Sequence, residues 1–337
     1  MKRYFRPIPQ SDLHRPADAL TLAGGWTWFD RIEVLTREGA ELIAAKEAPS
    51  DVLQRLTDPR ANIAGLPMER PTIMGILNVT PDSFSDGGDH NAPDRAVAHA
   101  RQMVAQGADL IDVGGESTRP GATLVPDDQE IARTAPVIAA IRVEMDVPIS
   151  IDTRKAAVAK ATVQAGADIV NDVSGFTFDT DLAGYCASAK VPVMVMHAQG
   201  DPQTMQDAPC YDDVLLDVFD FLEERVEALV AAGIPRGQII VDPGIGFGKT
   251  LQHNLLLLNR LSLFHSLGCA ILLGVSRKRF IGTIGKAPEP KYRAAGSVSV
   301  GLRAVMDGVQ MLRVHDVAET RSALDLWMAV HRAEYNE

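Results

Sequence analysis

Between residues 72 and 316 one pattern recurs eight times: a short apolar run, a polar or glycine-rich turn, then a stretch with helical character. The runs occupy 73–77, 110–113, 148–151, 168–170, 191–196, 239–241, 270–273 and 310–312. Helical stretches are expected at 92–106, 127–144, 155–165, 215–232, 251–267, 294–306 and 317–333. Several stop at or just before a glycine, such as Gly107, Gly166 or Gly233, the residue best suited to end a helix. Apolar runs of strand length alternating with helices imply a parallel sheet with helices outside it. Eight units in about 265 residues fit a closed barrel. An open doubly wound sheet is the alternative, but it rarely needs eight evenly recurring units. The expected fold is therefore α/β, a (β/α)8 TIM barrel over 71–337, preceded by an N-terminal extension over 1–70. The extension lacks the rhythm. It holds Trp26 and Trp28, a short apolar piece at 32–35 that reads as a strand, and another at 42–45 that reads as a short helix. It is expected to pack on the barrel.

Composition excludes several classes. Apolar residues make up 46% and charged residues 23%, values ordinary for a globular protein. The net charge of −11 argues against a nucleic-acid partner, which calls for a basic surface. No membrane-spanning run occurs, and the N-terminal MKRYFRPIPQ lacks the apolar stretch of a secretory signal. Three distant cysteines, Cys186, Cys210 and Cys269, have no metal-binding spacing and read as thiols in a reducing, cytoplasmic compartment.

The polar residues that end the runs should meet on one face of a barrel, where active sites of this architecture sit. They are Asn78, Thr118, Arg119, Asp152, Asn171, Asp172, His197, Asp242, Lys249, Ser276, Arg277, Lys278, Arg313 and His315. Asp152, Asn171, Asp242 and Lys278 mix acceptors and donors, as a flat nitrogen-rich heterocycle requires. Arg119, Arg277, Arg313 and His315 favour an anion, most simply phosphate or pyrophosphate. Taken singly, each has a plainer explanation. Asp242 before Pro243 suits a turn, Asp316 suits a helix N-terminus, and 277–279 suits a solvated charge run. His197 either reacts or orients its neighbours. Lys249 either pairs with a strand-end carboxylate or lies at the rim.

The segment VDPGIGFGKT (241–250) raises the question of a nucleotide loop. A phosphate-binding G-x-x-x-x-G-K-[ST] loop needs glycine at 243, where Pro243 stands. A dinucleotide G-x-G-x-x-G beginning at Gly244 needs glycine at 249, where Lys249 stands. Both patterns fail. The glycines instead allow the backbone to pass close to a ligand, with Phe247 supplying a ring beside it.

Eight motifs in this order resemble the dihydropteroate synthase family. They are NVTPDSFSDGG (78–88), DVGGESTRPGA (112–122), SIDTRK (150–155), VNDVSG (170–175), VMHAQGDPQTMQ (195–206), DPGIGFGK (242–249), GVSRKRFIG (274–282) and RVHDV (313–317). The resemblance spans about 72–320 and leaves the extension outside it. It implies condensation of 6-hydroxymethyl-7,8-dihydropterin pyrophosphate with p-aminobenzoate, to give 7,8-dihydropteroate and pyrophosphate with Mg2+ as cofactor. It carries pterin binding onto Asp152, Asn171, Met196, Asp242, Phe247 and Lys278. Pyrophosphate and p-aminobenzoate contacts fall on Thr118, Arg119, Ser276, Arg277, Arg313 and His315, and metal contact on Asn78. Catalysis falls on Asp152, Asp242, Lys278, Arg313 and His315, with loops 79–90 and 115–125 closing over the site. A homodimer and competition by sulfonamide mimics of p-aminobenzoate are also implied. Two rival readings are a methyltetrahydrofolate-binding methyltransferase barrel, which has less use for the anion-binding arginines, and a catalytically silent pterin-binding barrel.

Overall fold

The computed structural model describes residues 1–80, 92–117, 123–200, 205 and 207–333. Eight strands, β6 (Thr72–Asn78), β7 (Leu110–Gly114), β8 (Ile149–Asp152), β9 (Ile169–Asp172), β10 (Val193–Met196), β11 (Ile239–Asp242), β12 (Ala270–Leu273) and β13 (Met311–Val314), close a barrel. Every neighbouring pair is parallel and follows chain order, with β13 pairing to β6. Helices α2 (Ala92–Ala105), α3 (Asp127–Glu144), α4 (Ala156–Gln164), α5 (Thr180–Ala189), α6 (Val214–Ala231), α7 (Leu251–Asn259), α8 (Arg279–Ile284), α9 (Ala294–Met306) and α10 (Val317–Arg332) lie between and after them. The observed fold is a (β/α)8 barrel, and all eight expected strands are present.

Strand alternation sorts each run into two faces. One set, including Ile73, Leu77, Ile111, Val113, Ile149, Ile151, Val193, Val195, Ile271 and Leu273, joins the large core against the helices. The alternate set packs as a separate cluster inside the barrel: Met74, Leu110, Ile169, Met194, Ile240, Leu272 and Met311. Ile63, Leu66 and Met68 belong to that cluster too, so the segment just before β6 closes the lumen from below. One inward step further, β7, β9, β11 and β13 turn polar, at Asp112, Asn171, Asp242 and Arg313, and β8 adds Ser150 and Asp152. An apolar floor thus supports a polar rim at the strands' carboxyl ends.

The N-terminal segment differs from expectation in one element. Residues 42–45 are not helical. β5 (Gly39–Ala44) folds back antiparallel on β4 (Arg31–Thr36), which also pairs with β1 (Tyr4–Pro7). A second small sheet joins β2 (Leu20–Thr21) to β3 (Trp28–Phe29), and α1 (Ser50–Thr57) follows. This unit docks on the outer helices. The Tyr4 ring meets Phe219 of α6 edge-on at 5.4 Å, and its hydroxyl donates to Asp220 at 3.0 Å. Lys2 and Arg37 add ion pairs to Asp220, Glu223 and Asp217. Trp26 Nε1 donates to the Val305 carbonyl of α9 at 2.8 Å.

The helical stretch expected over 251–267 is broken. α7 ends at Asn259, and 261–267 winds as a 3-10 helix whose seven residues are all buried. Its Ser262 hydroxyl donates to the Pro7 carbonyl at 2.8 Å, so the extension covers this segment. Helices α5 and α8 were not anticipated from the sequence pattern.

Candidate active site

The rim is organised by Arg313. Its Nε donates to Asp112 Oδ2 at 2.6 Å and its Nη2 to Asp152 Oδ2 at 2.9 Å, which leaves the side chain 23% exposed at the mouth. Asp112 is fully buried and also accepts from Ser150 Oγ at 2.6 Å and, more weakly, from Asn171 Nδ2 at 3.4 Å. One ionic network therefore ties β7, β8, β9 and β13 together. A buried pair of this kind costs desolvation, and removing one partner strands the other. Burial pushes the Asp152 carboxyl up to about 8, against the pull of Arg313. Asp112 was missed as a site residue. Its signal was a carboxylate at an inward position of an otherwise apolar run, and Ser150 between Ile149 and Ile151 carries the same signal.

Small residues keep the rim open. A Cβ on Gly114 would lie 3.6 Å from both Asn78 Oδ1 and the Asp152 Cβ. A Cβ on Gly274 would lie 3.8 Å from Asp242 Oδ2 and 4.0 Å from the Arg313 Cβ. Asn78, Asp152, Asp242 and Arg313 thus gather around two glycines that leave room between them.

On the far side, Asp242 Oδ1 accepts from the Gly244 N–H at 2.7 Å, and burial raises its carboxyl above the usual range. Lys278 reaches over from the loop after β12. Its Nζ sits 4.5 Å from the centre of the Phe247 ring and donates to the Ile245 carbonyl. Burial lowers its pKa to about 8, with Asp242 opposing. Met196 is buried at the end of β10, beside Gly244. The set expected to read a heterocycle, Asp152, Asn171, Asp242 and Lys278 with Met196 and Phe247, is brought to one mouth.

The anion-favouring set is gathered only in part. The Ser276 hydroxyl accepts from the His315 backbone N–H at 3.1 Å and contacts the His315 ring Nδ1 at 3.0 Å. Arg277 forms a two-pronged pair with Asp316, with Nε to Oδ2 at 3.0 Å. Arg277 has φ of +57°, a conformation uncommon for a residue with a side chain. Ser297 Oγ accepts from its N–H, and Arg293 donates to its carbonyl. The sequence reading of 277–279 as a solvated run therefore does not hold for Arg277. Thr118 and Arg119 lie outside the described residues, as do most of loop 79–90 and part of loop 115–125.

Asp172 is fully buried. Its carboxylate accepts from the Ser174 N–H and hydroxyl and the Phe176 N–H, at 2.6, 2.9 and 2.8 Å, shaping the turn after β9. Lys155 donates to Glu116 and Glu130 at 2.5 and 2.6 Å and to the Val125 carbonyl at 2.5 Å. Arg154 also pairs with Glu116, at 2.6 Å. This buried knot was not read from the sequence, although SIDTRK carries both cations.

Lys249 is neither at the rim nor paired directly with a carboxylate. It is buried, and its Nζ lies 2.8 Å from His197 Nδ1. Among the described residues no group of three or more His, Cys, Asp or Glu could hold a metal ion.

Comparison with known proteins agrees with this geometry. The model of the family described as "Pterin binding enzyme" matches residues 74–315. Dihydropteroate synthase of Escherichia coli is 44% identical over 272 residues, covering 81% of this chain and 96% of that protein. The synthase of Synechocystis is 47% identical over 74% of this chain and 86% of its own. Among solved structures, the Xanthomonas albilineans synthase with 4-aminobenzoic acid matches with a TM-score of 0.77 and 46% identity, covering 82% of this chain and 99% of that one. The same enzyme in complex with 7,8-dihydropteroate matches with a TM-score of 0.74 and 43% identity, covering 82% and 100%. A polar barrel rim of this order, matched over nearly the whole length of such relatives, places the chain in the dihydropteroate synthase family of pterin-binding enzymes.

Proposed function

We propose that the barrel mouth condenses 6-hydroxymethyl-7,8-dihydropterin pyrophosphate with p-aminobenzoate, forming 7,8-dihydropteroate and pyrophosphate. One observation carries the reading: full-length structural relatives hold 4-aminobenzoic acid and 7,8-dihydropteroate, the second substrate and the product of that reaction. The chain is a transferase of folate biosynthesis.

The pterin ring would lie among Asp152, Asn171, Asp242 and Lys278, walled by Met196 and Phe247. The carboxylates accept from ring N–H and amino groups, and Lys278 donates to a ring acceptor. As the carbon–oxygen bond breaks, its electron pair leaves on the pyrophosphate, and positive charge spreads into the pterin. Asp152 and Asp242 stabilise that charge through the ring N–H groups, in a site where fixed charges act strongly. Arg313 and His315, the latter oriented by Ser276, face the leaving group, with Thr118, Arg119 and Arg277 assigned to the pyrophosphate and p-aminobenzoate. The amine lone pair of p-aminobenzoate then forms the carbon–nitrogen bond, and the amine proton passes to water or pyrophosphate. No activated nucleophile is required.

Mg2+ fits the donors only in company with the substrate. Asn78 offers one amide oxygen beside Gly114, and Mg2+ commonly takes its other ligands from substrate phosphates and water. When bound, the ion would offset the charge of the pyrophosphate.

The finer reading includes a cytoplasmic homodimer. Cys210 is an exposed free thiol, which suits a reducing compartment. Helix α10 exposes Leu326 and Val330, one turn apart, for a second copy to cover. Sedimentation giving a monomer at micromolar concentration removes the dimer from the account. Residues 1–70 are read as an extension to a catalytic unit over 71–337. The X. albilineans relatives support this, since they are matched over 99–100% of their own length yet 82% of this chain.

The test is pyrophosphate release measured with and without p-aminobenzoate, alongside product identification. Release coupled to 7,8-dihydropteroate supports the reading. Tight pterin binding without turnover points to a silent barrel, and methyl transfer without pyrophosphate release points to the methyltransferase type. In a rapid-quench series lacking p-aminobenzoate, cleaved pterin supports bond breaking before attack, and its absence contradicts that order.

A further inference from the structure

The loop over 243–248 is held by bonds from several elements to its backbone. The Gly244 N–H donates to Asp242, and the Gly246 N–H donates to Asn254 Oδ1 at 2.7 Å. The Ile245 carbonyl accepts from Lys278, and the Gly248 carbonyl accepts from the Tyr211 hydroxyl at 2.7 Å. The carbonyls of Gly244 and Phe247 both accept from Lys249 Nζ, at 2.9 and 3.0 Å. The same nitrogen reaches His197 Nδ1 at 2.8 Å and the His197 carbonyl at 3.3 Å. Gly244, Gly246 and Gly248 all have positive φ, which turns these carbonyls inward.

This is an uncomfortable place for a cation. Lys249 is buried and directly precedes Thr250, the N-cap of α7, where the helix dipole disfavours positive charge. Burial lowers its pKa well below the ordinary value, and burial with Lys249 beside it lowers that of His197 to about 2. His197 is then neutral, and one hydrogen bond joins its Nδ1 to Lys249 Nζ. Its ring is held edge-on to Phe221 of α6 at 4.9 Å. The lysine therefore joins the loop after β10 to the loop after β11 through one nitrogen, in a position that fold stability alone does not favour.

We propose that Lys249 is a positioning residue of the pterin site: its buried nitrogen fixes the 243–248 loop so that Phe247 and the Ile245 carbonyl set where Lys278 stands. The inference rests on the reading above, in which Lys278 and Phe247 contact the pterin. The Lys249 nitrogen is taken up by four protein partners, so it acts through the loop.

Lys249→Met is the direct test, with the full chain and both substrates. KM for the pterin pyrophosphate should rise roughly tenfold or more, beyond any loss of folded protein. Met194→Ala, a floor variant that also destabilises the barrel, should leave that KM unchanged and so controls for a purely structural effect. A pterin KM within about twofold of wild type in folded Lys249→Met overturns the proposal. Asp242→Asn, run in parallel, separates the two levels: unchanged pterin affinity there sinks the site assignment, whereas an unchanged KM in Lys249→Met alone sinks the positioning role. If Lys249→Met does not fold, nitrogen-15 NMR of the wild-type histidines decides. His197 should stay neutral from about pH 5 to 8, held so by the buried lysine nitrogen at its Nδ1. A positively charged His197 within that range, which cannot coexist with the buried lysine at 2.8 Å, overturns the proposal.

Discussion

The floor and the rim of the barrel lumen are built from successive inward positions of the barrel strands. The floor, Met74, Leu110, Ile169, Met194, Ile240, Leu272 and Met311, is apolar and sealed from below by Ile63, Leu66 and Met68. The rim holds Asp112, Asp152 and Asp242 almost as deeply, yet Arg313 at the mouth crosslinks Asp112 and Asp152 across strands, and Gly114 and Gly274 leave room between the side chains. Stability resides in the floor and chemistry in the rim. Burying an apolar side chain contributes about 1.5–3 kcal/mol without further conditions. Burying a charge contributes only when every partner is present, which is why the rim is sensitive to change and able to respond to a ligand.

The contrast can be broken most severely at the rim's backbone. A Cβ on Gly244 would sit 1.8 Å from the His197 carbonyl oxygen, at a φ of +68° that side chains rarely adopt. Gly244→Ala should cost about 4 kcal/mol or more, or prevent folding, as thermal denaturation would report. A stable Gly244→Ala would mean that the loop can move aside. On the floor, Met194→Ala should cost about 2–4 kcal/mol through the cavity it leaves, with pterin affinity unchanged. A large affinity loss there would erase the division between floor and rim.

A milder effect follows from pH. Asp152 is raised to about 8 by burial, so below that it takes up a proton and loses its capacity to accept. Lys278 is lowered to about 8 by burial, so above that it loses its charge. Pterin affinity should therefore peak near pH 8 and fall on both sides, by up to about tenfold per pH unit well beyond the peak. Asp152→Asn should weaken the acid limb, to which the raised carboxyl of Asp242 also contributes, and leave the alkaline limb in place. A profile flat from about pH 6 to 10 would contradict these assignments. The smallest effect belongs to the extension's surface. Arg37 pairs with Asp217 and Asp220 while 44% exposed, so Arg37→Ala should cost less than about 1 kcal/mol and leave turnover intact.

The barrel was legible because its strands are continuous apolar runs and many of its helices end in glycine. Helix α5 was not, since it ends on Lys190 in the left-handed conformation, where no glycine marks the stop. Residues 42–45 misled because a short apolar run carries no period long enough to separate helix from strand. The 251–267 stretch reads as one helix locally. It breaks where burial under the extension takes over, a long-range effect absent from any window. At the site, residues that end strands stood out, whereas Asp112 and Ser150 lay concealed within apolar runs. The contacts of Lys249 depend on three left-handed glycines folding carbonyls inward, which no spacing rule reveals.

The central claim is that the polar rim, and not the floor, binds the pterin. Calorimetric titration of 6-hydroxymethyl-7,8-dihydropterin pyrophosphate into Asp242→Asn and Lys278→Ala tests it most directly. The account predicts that each variant remains folded and loses affinity by roughly tenfold to a thousandfold, as expected when a buried charged contact is removed. Unchanged affinity in both would contradict it.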